Sequence, residues 1–130
     1  MRKSIFEDLF VLEMANNHWG SIERGMKIIS DFGKVVRFNN VKAAIKLQFR
    51  DVDTFIHKDF RTREDIRYIK KTLDTVVSED GYAAFVNAIR QNNCIPMATP
   101  FDEKSVLMCQ ELGIDIIKFA SSDVNDLVLI

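Results

Sequence analysis

Apolar and polar positions alternate along the chain in blocks: four short apolar runs are separated by segments with helical spacing. The apolar runs lie near residues 9–15, 41–48, 94–99 and 114–120. Short apolar runs bounded by polar or turn-forming residues are typical of buried strands. Helical connections between them are long enough for parallel crossovers. The pattern therefore predicts an α/β fold with parallel (β/α) units.

The connecting segments show where helices should begin and end. A first helix is predicted after a Ser21 cap, two more are predicted from Glu64 onward, and a last one over 100–112. Residues 121–123 are predicted to cap a helix that barely begins. The segment 50–63 is charged and aromatic without a period, so we expect a long loop. The apolar positions at helical spacing are Ile22, Met26, Ile29, Val36, Ile66, Ile69, Leu73, Tyr82, Phe85, Val86 and Ile89.

Composition narrows the class of protein. The 130 residues carry 18 Lys+Arg and 19 Asp+Glu, a net charge of −1, which argues against nucleic-acid binding. With 47% hydrophobic residues and no run of membrane-spanning length, a globular domain away from the membrane is expected. Cys94 and Cys109 form no metal or redox motif, so a reducing cytoplasm is the simplest location.

Polar residues concentrate where the apolar runs end. Because the carboxyl ends of parallel strands meet at one edge, and active sites of α/β proteins are built there, we expect these side chains to form a site. The residues in these positions are Glu13, Asn17, His18, Lys46, Gln48, Thr99, Lys118, Ser121 and Asp123.

Two lysines within apolar strands point to an anionic ligand. A lysine in such a run is costly unless it faces a polar cavity or a bound anion, although Lys46 or Lys118 alone could extend past the strand end into solvent. Thr99 and Ser121 add hydroxyl donors. Thr99 precedes Pro100 at a predicted strand-to-helix junction, where phosphate binding and an ordinary helix cap are both consistent with the sequence.

Other polar residues allow several roles. Glu13 ends the first strand and should be paired, protonated, metal-linked or simply structural. His18 could bind a substrate hydroxyl or carboxylate, or be part of the polar surface. Two histidines far apart give no metal spacing, so we predict no metal ligands within this chain.

Four motifs in order resemble those of the sialic acid synthase (N-acetylneuraminate synthase) family. Residues 13–21, EMANNHWGS, resemble the family's E-I-G-x-N-H-x-G-S segment, and 45–48, IKLQ, its V-K-x-Q. Residues 98–102, ATPFD, resemble S-T-P-F, and 117–123, IKFASSD, resemble K-I-x-S-G-E. The last motif departs from the family by carrying Asp123, one methylene shorter, in place of glutamate.

The resemblance implies a TIM barrel that condenses phosphoenolpyruvate with an N-acetylmannosamine-type sugar, releases phosphate and uses a divalent metal, Mn²⁺ or Mg²⁺. The metal-binding histidines of the family come from later strands, so these ligands are expected outside this chain. Glu13 and Asp123 would be the catalytic residues, near the sugar aldehyde, where they could handle protons. The resemblance implies substrate-binding roles for Lys46, Thr99, Lys118 and Ser121, which would hold phosphoenolpyruvate, and for Asn17, His18 and Gln48.

Because a TIM barrel has eight strands, we expect 1–130 to be the N-terminal half of a truncated (β/α)8 domain that is inactive by itself. Completion by a second copy or by another chain is an alternative, and a homo-oligomer stays open. Two alternative functions also stay open. One is a Schiff-base aldolase that uses Lys118 as its nucleophile, and the other is a non-catalytic half barrel that binds an anion or a partner.

Overall fold

The four predicted strands pair in one parallel sheet in the order of the chain. The computed structural model describes residues 4–130, so residues 1–3 of the predicted domain lie outside the described part. The strands are β1 (Leu9–Ala15), β2 (Lys42–Phe49), β3 (Ile95–Pro100) and β4 (Ile116–Ile117). The predicted parallel α/β class and the first three strand positions are confirmed to within one residue.

Helices connect successive strands. They are α1 (Ile22–Asn39), α2 (Val52–Phe55), α3 (Arg67–Asp74), α4 (Glu79–Gln91) and α5 (Glu103–Glu111). Their caps explain their starts: the Ser21 side chain accepts from Arg24 N–H at 3.2 Å, and Ser78 accepts from Gly81 N–H at 3.1 Å. α1 ends at Asn40, whose left-handed backbone (φ +50°) stops the helix.

Three local predictions are wrong. The segment 50–63 is not without structure, since it contains α2 and a short 3₁₀ helix (Lys58–Phe60). The helix predicted over 100–112 begins only at Glu103, because Asp102 is its cap and accepts from Ser105 N–H at 2.7 Å. The predicted cap at 121–123 starts no helix, and the residues after β4 form turns.

The hydrophobic core lies between the sheet and α1, α4 and α5. Alternate residues of β2 point into it, and we call the opposite side of the sheet the inner face. α1 and α4 pack closely because Gly25 lies directly against the ring of Phe85. The fully buried side chains of this core include Met14, Ile29, Ile45, Leu47, Phe49, Phe85 and Ile89.

His18 also belongs to this core. It is fully buried, with the rings of Phe85 and Tyr82 at centroid distances of 5.5 and 6.4 Å. Its Nδ1 accepts the Gly20 N–H at 3.0 Å, whereas its Nε2 is buried without a hydrogen-bond partner among the described residues. The side chain is therefore held as a neutral imidazole, and burial lowers its pKa below the usual 6.5.

The two edge strands of the described sheet expose apolar side chains. On β1 these are Phe10 and Val11, and at β4 they are Ile117 and Phe119, each between 42% and 57% exposed. No helix in residues 4–130 is long and apolar enough to cross a membrane.

Replacing Gly25 by alanine should destabilise the fold even though alanine is the better helix former. An alanine methyl would overlap the Phe85 ring. We expect overpacking of about 1–3 kcal/mol to outweigh the gain in helix propensity of about 1 kcal/mol. Urea unfolding of Gly25→Ala measures the free energy of unfolding. In Gly25→Ala/Phe85→Leu, the smaller leucine side chain should remove much of the clash. The double variant should therefore lose less unfolding free energy than the two single variants lose in sum. A more stable Gly25→Ala single variant would contradict this packing.

His18 should make the protein less stable in mild acid. Its folded-state pKa lies below the unfolded value of 6.5, so the unfolded chain takes up the proton first as the pH falls. Stability from this group is complete above about pH 6.5 and declines below it by at most about 1.4 kcal/mol per pH unit. Unfolding measured between pH 8 and 5 should show the decline in the native sequence and in His57→Asn, which removes an exposed histidine. His18→Asn should flatten it, and an unchanged slope in that variant would exclude this explanation.

Candidate functional site

The centre of the candidate site is an ion pair between neighbouring strands. Lys46 on β2 and Glu13 on β1 are register partners, and the ammonium contacts the Glu13 carboxylate. The Lys46 side chain is 12% exposed, whereas that of Glu13 is 44% exposed. Glu13 is thus paired, one of the alternatives left open by the sequence. A lysine with little exposure is thus paired with a carboxylate that solvent can still reach.

A β-bulge directly after Glu13 decides which asparagine joins the site. Glu13 pairs with Lys46 and Ala15 with Leu47, so Met14 is an extra residue in β1. Met14, a core residue, has no register partner on β2, and Ala15 lies at φ +47°. Regular alternation from Glu13 would bring Asn17 to the inner face. The bulge instead turns Asn16 toward β2.

Gln48 lies two residues beyond Lys46 on the same face of β2 and is held by two donors. Asn16 Nδ2 donates to Gln48 Oε1 at 3.2 Å, and an Arg50 Nη donates to the same oxygen at 3.3 Å. The backbone oxygen of Gln48 accepts from the Tyr82 hydroxyl at 3.1 Å. Burial raises the pKa of Tyr82 to about 12, so this hydroxyl stays protonated and remains a donor.

Thr99 and Lys118 extend the same row across the sheet. Thr99 on β3 is the register partner of Gln48. The β3–β4 register, continued by one residue, brings Lys118 beside Thr99, and Lys118 N–H donates to Ala98 O at 2.9 Å. Thr99 is 2% exposed, and its hydroxyl has no hydrogen-bond partner among the described residues. A buried hydroxyl without a partner is a feature that a bound ligand could satisfy.

Thr99 does not cap the following helix. That role belongs to Asp102, whose carboxylate accepts from both Ser105 N–H and Asp51 N–H at 2.7 Å. The first turn of α5 is therefore already occupied by a side-chain carboxylate. A phosphate on that helix end would have to displace Asp102, so the Thr99 hydroxyl rather than the helix end is the available group.

The remaining predicted residues are not brought into contact with this row. Asn17 is exposed and its amide donates to Met14 O at 2.9 Å, while His18 lies in the core. Ser121 is exposed in the turns after β4. Asp123 is partly buried in the same turns, and one of its carboxylate oxygens is buried with no hydrogen-bond partner in the part of the chain that the structure describes.

Arg50, like Asn16, is a site residue that was not predicted from the sequence. Its guanidinium lies over the rings of Phe55 and Phe101, 5.0 and 4.4 Å from their centroids. The two rings contact each other at a right-angled geometry, with centroids 6.2 Å apart. Arg50 follows Gln48 by two positions, which is the strand spacing for a shared face, but it lies in a segment that was expected to be a loop.

A cavity of about 360 Å³ adjoins Arg50 on the helix side of the sheet. It is lined by the segment after β2 and by the first turns of α4 and α5, with Lys104 paired to Asp51 across it at 3.3 Å. A smaller neighbouring cavity shares Arg50 and Tyr82 with it and reaches Asn16 and Gln48.

The described residues do not supply a metal site. No group of three or more His, Cys, Asp or Glu side chains within residues 4–130 lies close enough to hold a metal ion. His18 is buried in the core, and its Nδ1 already accepts a backbone N–H. We therefore assign no metal-dependent step to the side chains of this chain.

Solved structures of known proteins resemble the whole described fold. The chain is 37% identical to spore coat polysaccharide biosynthesis protein E from Chromobacterium violaceum, with a TM-score of 0.89 over 94% of this chain. It is 21% identical to N-acetylneuraminic acid (sialic acid) synthetase from Leptospira borgpetersenii, solved in complex with citrate, with a TM-score of 0.73 over 94% of this chain. A spore coat polysaccharide biosynthesis protein from Bacillus subtilis is also 21% identical, with a TM-score of 0.66 over 93%.

These relatives are much longer than the chain. It covers 36% of the Chromobacterium protein, 39% of the Leptospira protein and 31% of the Bacillus protein. Among curated proteins, none matches the sequence. Residues 38–130 match the sequence profile of the NeuB family, a range that includes Lys46, Gln48, Thr99 and Lys118. Together with the 37% identity to the Chromobacterium structure, this match establishes that the chain belongs to the NeuB family.

Proposed function

We propose that this chain carries the phosphoenolpyruvate-binding part of a sugar-acid synthase. In that reaction phosphoenolpyruvate condenses with an N-acetylmannosamine-type sugar, and phosphate is released. Membership of the NeuB family supports the enzyme class. The observation that carries the proposal is the register, which brings Lys46, Gln48 and Thr99 together at the carboxyl ends of β2 and β3, with Lys118 directly after β4.

The row suits a ligand with both a phosphate and a carboxylate. Lys46 and Lys118 would supply two positive charges, and Thr99 a buried hydroxyl that has no partner among residues 4–130. Glu13 accepts one ammonium hydrogen of Lys46. Because a lysine ammonium has three donors, two remain for a ligand. Ser121, exposed in the turn after β4, would add a second hydroxyl.

The two carboxylates would serve the sugar rather than phosphoenolpyruvate. Glu13 is accessible to solvent at the edge of the row, so the aldehyde end of the sugar could approach its carboxylate. Asp123 follows Lys118 by five residues, and one of its carboxylate oxygens has no hydrogen-bond partner within residues 4–130. In the proposal the two residues exchange protons while the C=C electrons of the enolpyruvate form the new bond to the aldehyde carbon. Water then adds to the resulting cation, and the C–O bond to the phosphate breaks, which releases phosphate and leaves the keto acid. Asn17 and His18 are proposed as sugar contacts only if the loop after β1 rearranges, because His18 is buried in this structure.

The divalent metal implied by the family resemblance, Mn²⁺ or Mg²⁺, would need ligands from outside this chain. The side chains described here would then bind and orient phosphoenolpyruvate. Their contribution to such a site can be measured by ligand binding alone.

Replacing Lys46 should abolish most phosphoenolpyruvate binding, whereas replacing Lys42 should not. Both lysines are on β2 with the same side-chain direction, but Lys42 is exposed at the opposite end of the strand. We expect Lys46→Met to weaken binding by about tenfold or more, since a charge-assisted hydrogen bond contributes about 1.5–3 kcal/mol. Calorimetry or NMR titration with phosphoenolpyruvate at low and high salt measures the dissociation constants.

Lys42→Met is the matched control and should bind as the native sequence does. Binding that Lys42→Met weakens as much as Lys46→Met would indicate non-specific attraction to positive charge. No saturable binding by the native sequence at low salt would refute the proposed role of the row.

A further inference from the structure

We infer that Arg50 is a positioning residue, which orients the amide of Gln48 so that its NH₂ group faces the ligand. The identity of that ligand rests on the proposed function, whereas the orientation of the amide does not. The inference follows from hydrogen bonding between three side chains: Asn16, Gln48 and Arg50.

The contact with Arg50 determines which atom of the Gln48 amide is the oxygen and which is the nitrogen. The oxygen and nitrogen of a glutamine amide look alike, and their assignment depends on the hydrogen-bond network. A guanidinium can only donate, so the amide atom 3.3 Å from the Arg50 Nη must be the oxygen. Asn16 Nδ2 donates to the same oxygen at 3.2 Å. Both contacts therefore hold Oε1 on one side, and Nε2 must lie on the other.

Arg50 is itself held in place. Its guanidinium contacts the faces of Phe55 and Phe101, and its Nε is buried. Phe101 is tied to β2 because its N–H donates to Phe49 O at 3.1 Å. Burial lowers the pKa of Arg50 from its usual 12.5, but a guanidinium remains charged at neutral pH. The arginine is thus a rigid donor rather than a mobile surface charge.

The NH₂ end of the Gln48 amide lacks an acceptor within the described part of the chain. Among the described residues, no hydrogen bond is made by Gln48 Nε2, although Oε1 accepts two. Gln48 is the register partner of Thr99, whose hydroxyl also has no partner within residues 4–130. The register therefore brings two residues with unused donors side by side, two positions beyond Lys46 on β2. A carboxylate or phosphoryl oxygen satisfies such donors, whereas an ammonium or amide N–H of a ligand does not.

The ligand-free protein provides the first test, by NMR of side-chain amides. In the native sequence, the ¹⁵Nε2 of Gln48 should show a heteronuclear NOE close to that of the rigid backbone. Gln91 and Gln110, which are exposed on helices, should be mobile and serve as internal references. Arg50→Lys keeps the charge but loses the planar donor, so Gln48 should approach the mobility of these references.

Two further variants separate positioning from general loss of structure. Arg63→Lys changes an exposed arginine paired with Asp65 and should leave the Gln48 signal unchanged. Phe55→Leu, at a ring that is 43% exposed, keeps Arg50 but loosens its support and should give an intermediate mobility. A Gln48 amide that is mobile in the native sequence, or equally rigid in Arg50→Lys, would overturn the inference.

A double-mutant cycle on phosphoenolpyruvate binding provides the second test. Arg50→Lys should weaken binding about fivefold in the native background, as expected for the loss of one oriented hydrogen bond. In the Gln48→Ala background the same change should have little effect, because Arg50 acts through Gln48. Additive losses would mean that Arg50 contacts the ligand directly and would refute a positioning role. If no variant and not even the native sequence binds phosphoenolpyruvate, the proposed function fails, while the amide mobility still decides the role of Arg50.

Discussion

The buried charge of Lys46 is the constraint on which the rest of the inner face depends. A lysine whose side chain is only 12% exposed within an apolar strand is costly without a partner. The neighbouring strand β1 supplies that partner through Glu13. The register between the two strands is therefore set by charge as well as by packing. The positions of Gln48 and Thr99 follow from the same parallel register.

Most of the site residues lie on regular strands, whereas Arg50 comes from the irregular segment after β2. Lys46, Gln48 and Thr99 are on strands, so their backbone positions are fixed by the parallel ladder. Arg50 comes from the segment after β2 and reaches the row only because two phenylalanines hold its guanidinium. This arrangement brings a positive charge to Gln48 of the row, although the whole chain has a net charge of −1.

Much of the fold could be predicted because its strands are continuous apolar runs. β1 has the predicted bounds, and β2 and β3 differ by one residue. β4 is shorter than predicted, since ladder pairing on one side defines only Ile116–Ile117. The start of α5 was misplaced because Pro100 is as common at the first turn of a helix as at a strand end, and Asp102 caps the helix instead.

The site was harder to predict than the fold for a specific reason. Lys46, Gln48, Thr99 and Lys118 could be identified because a polar residue in an apolar run stands out. Asn16 could not, since a bulge has no reliable signature in one sequence. Arg50 was missed because it lies in a charged, aromatic segment without a period. Its role depends on Phe101, which is 51 positions away, and such contacts exist only once the sheet has formed.

The bulge in β1 also affects how relatives of this chain should be aligned. Because Met14 is an extra residue in β1, the side chains before it and after it alternate between the two faces of the sheet out of step with each other. Suppose that a relative lacks the extra residue and is aligned to this chain without a gap. From Ala15 onward, its residues on one face of the strand would then be matched to residues on the other face in this chain. Substitutions in that segment would then be assigned to the wrong side of the strand. The alignment should therefore be made in two parts, with Glu13 as the reference position before the bulge and Asn16 as the reference position after it.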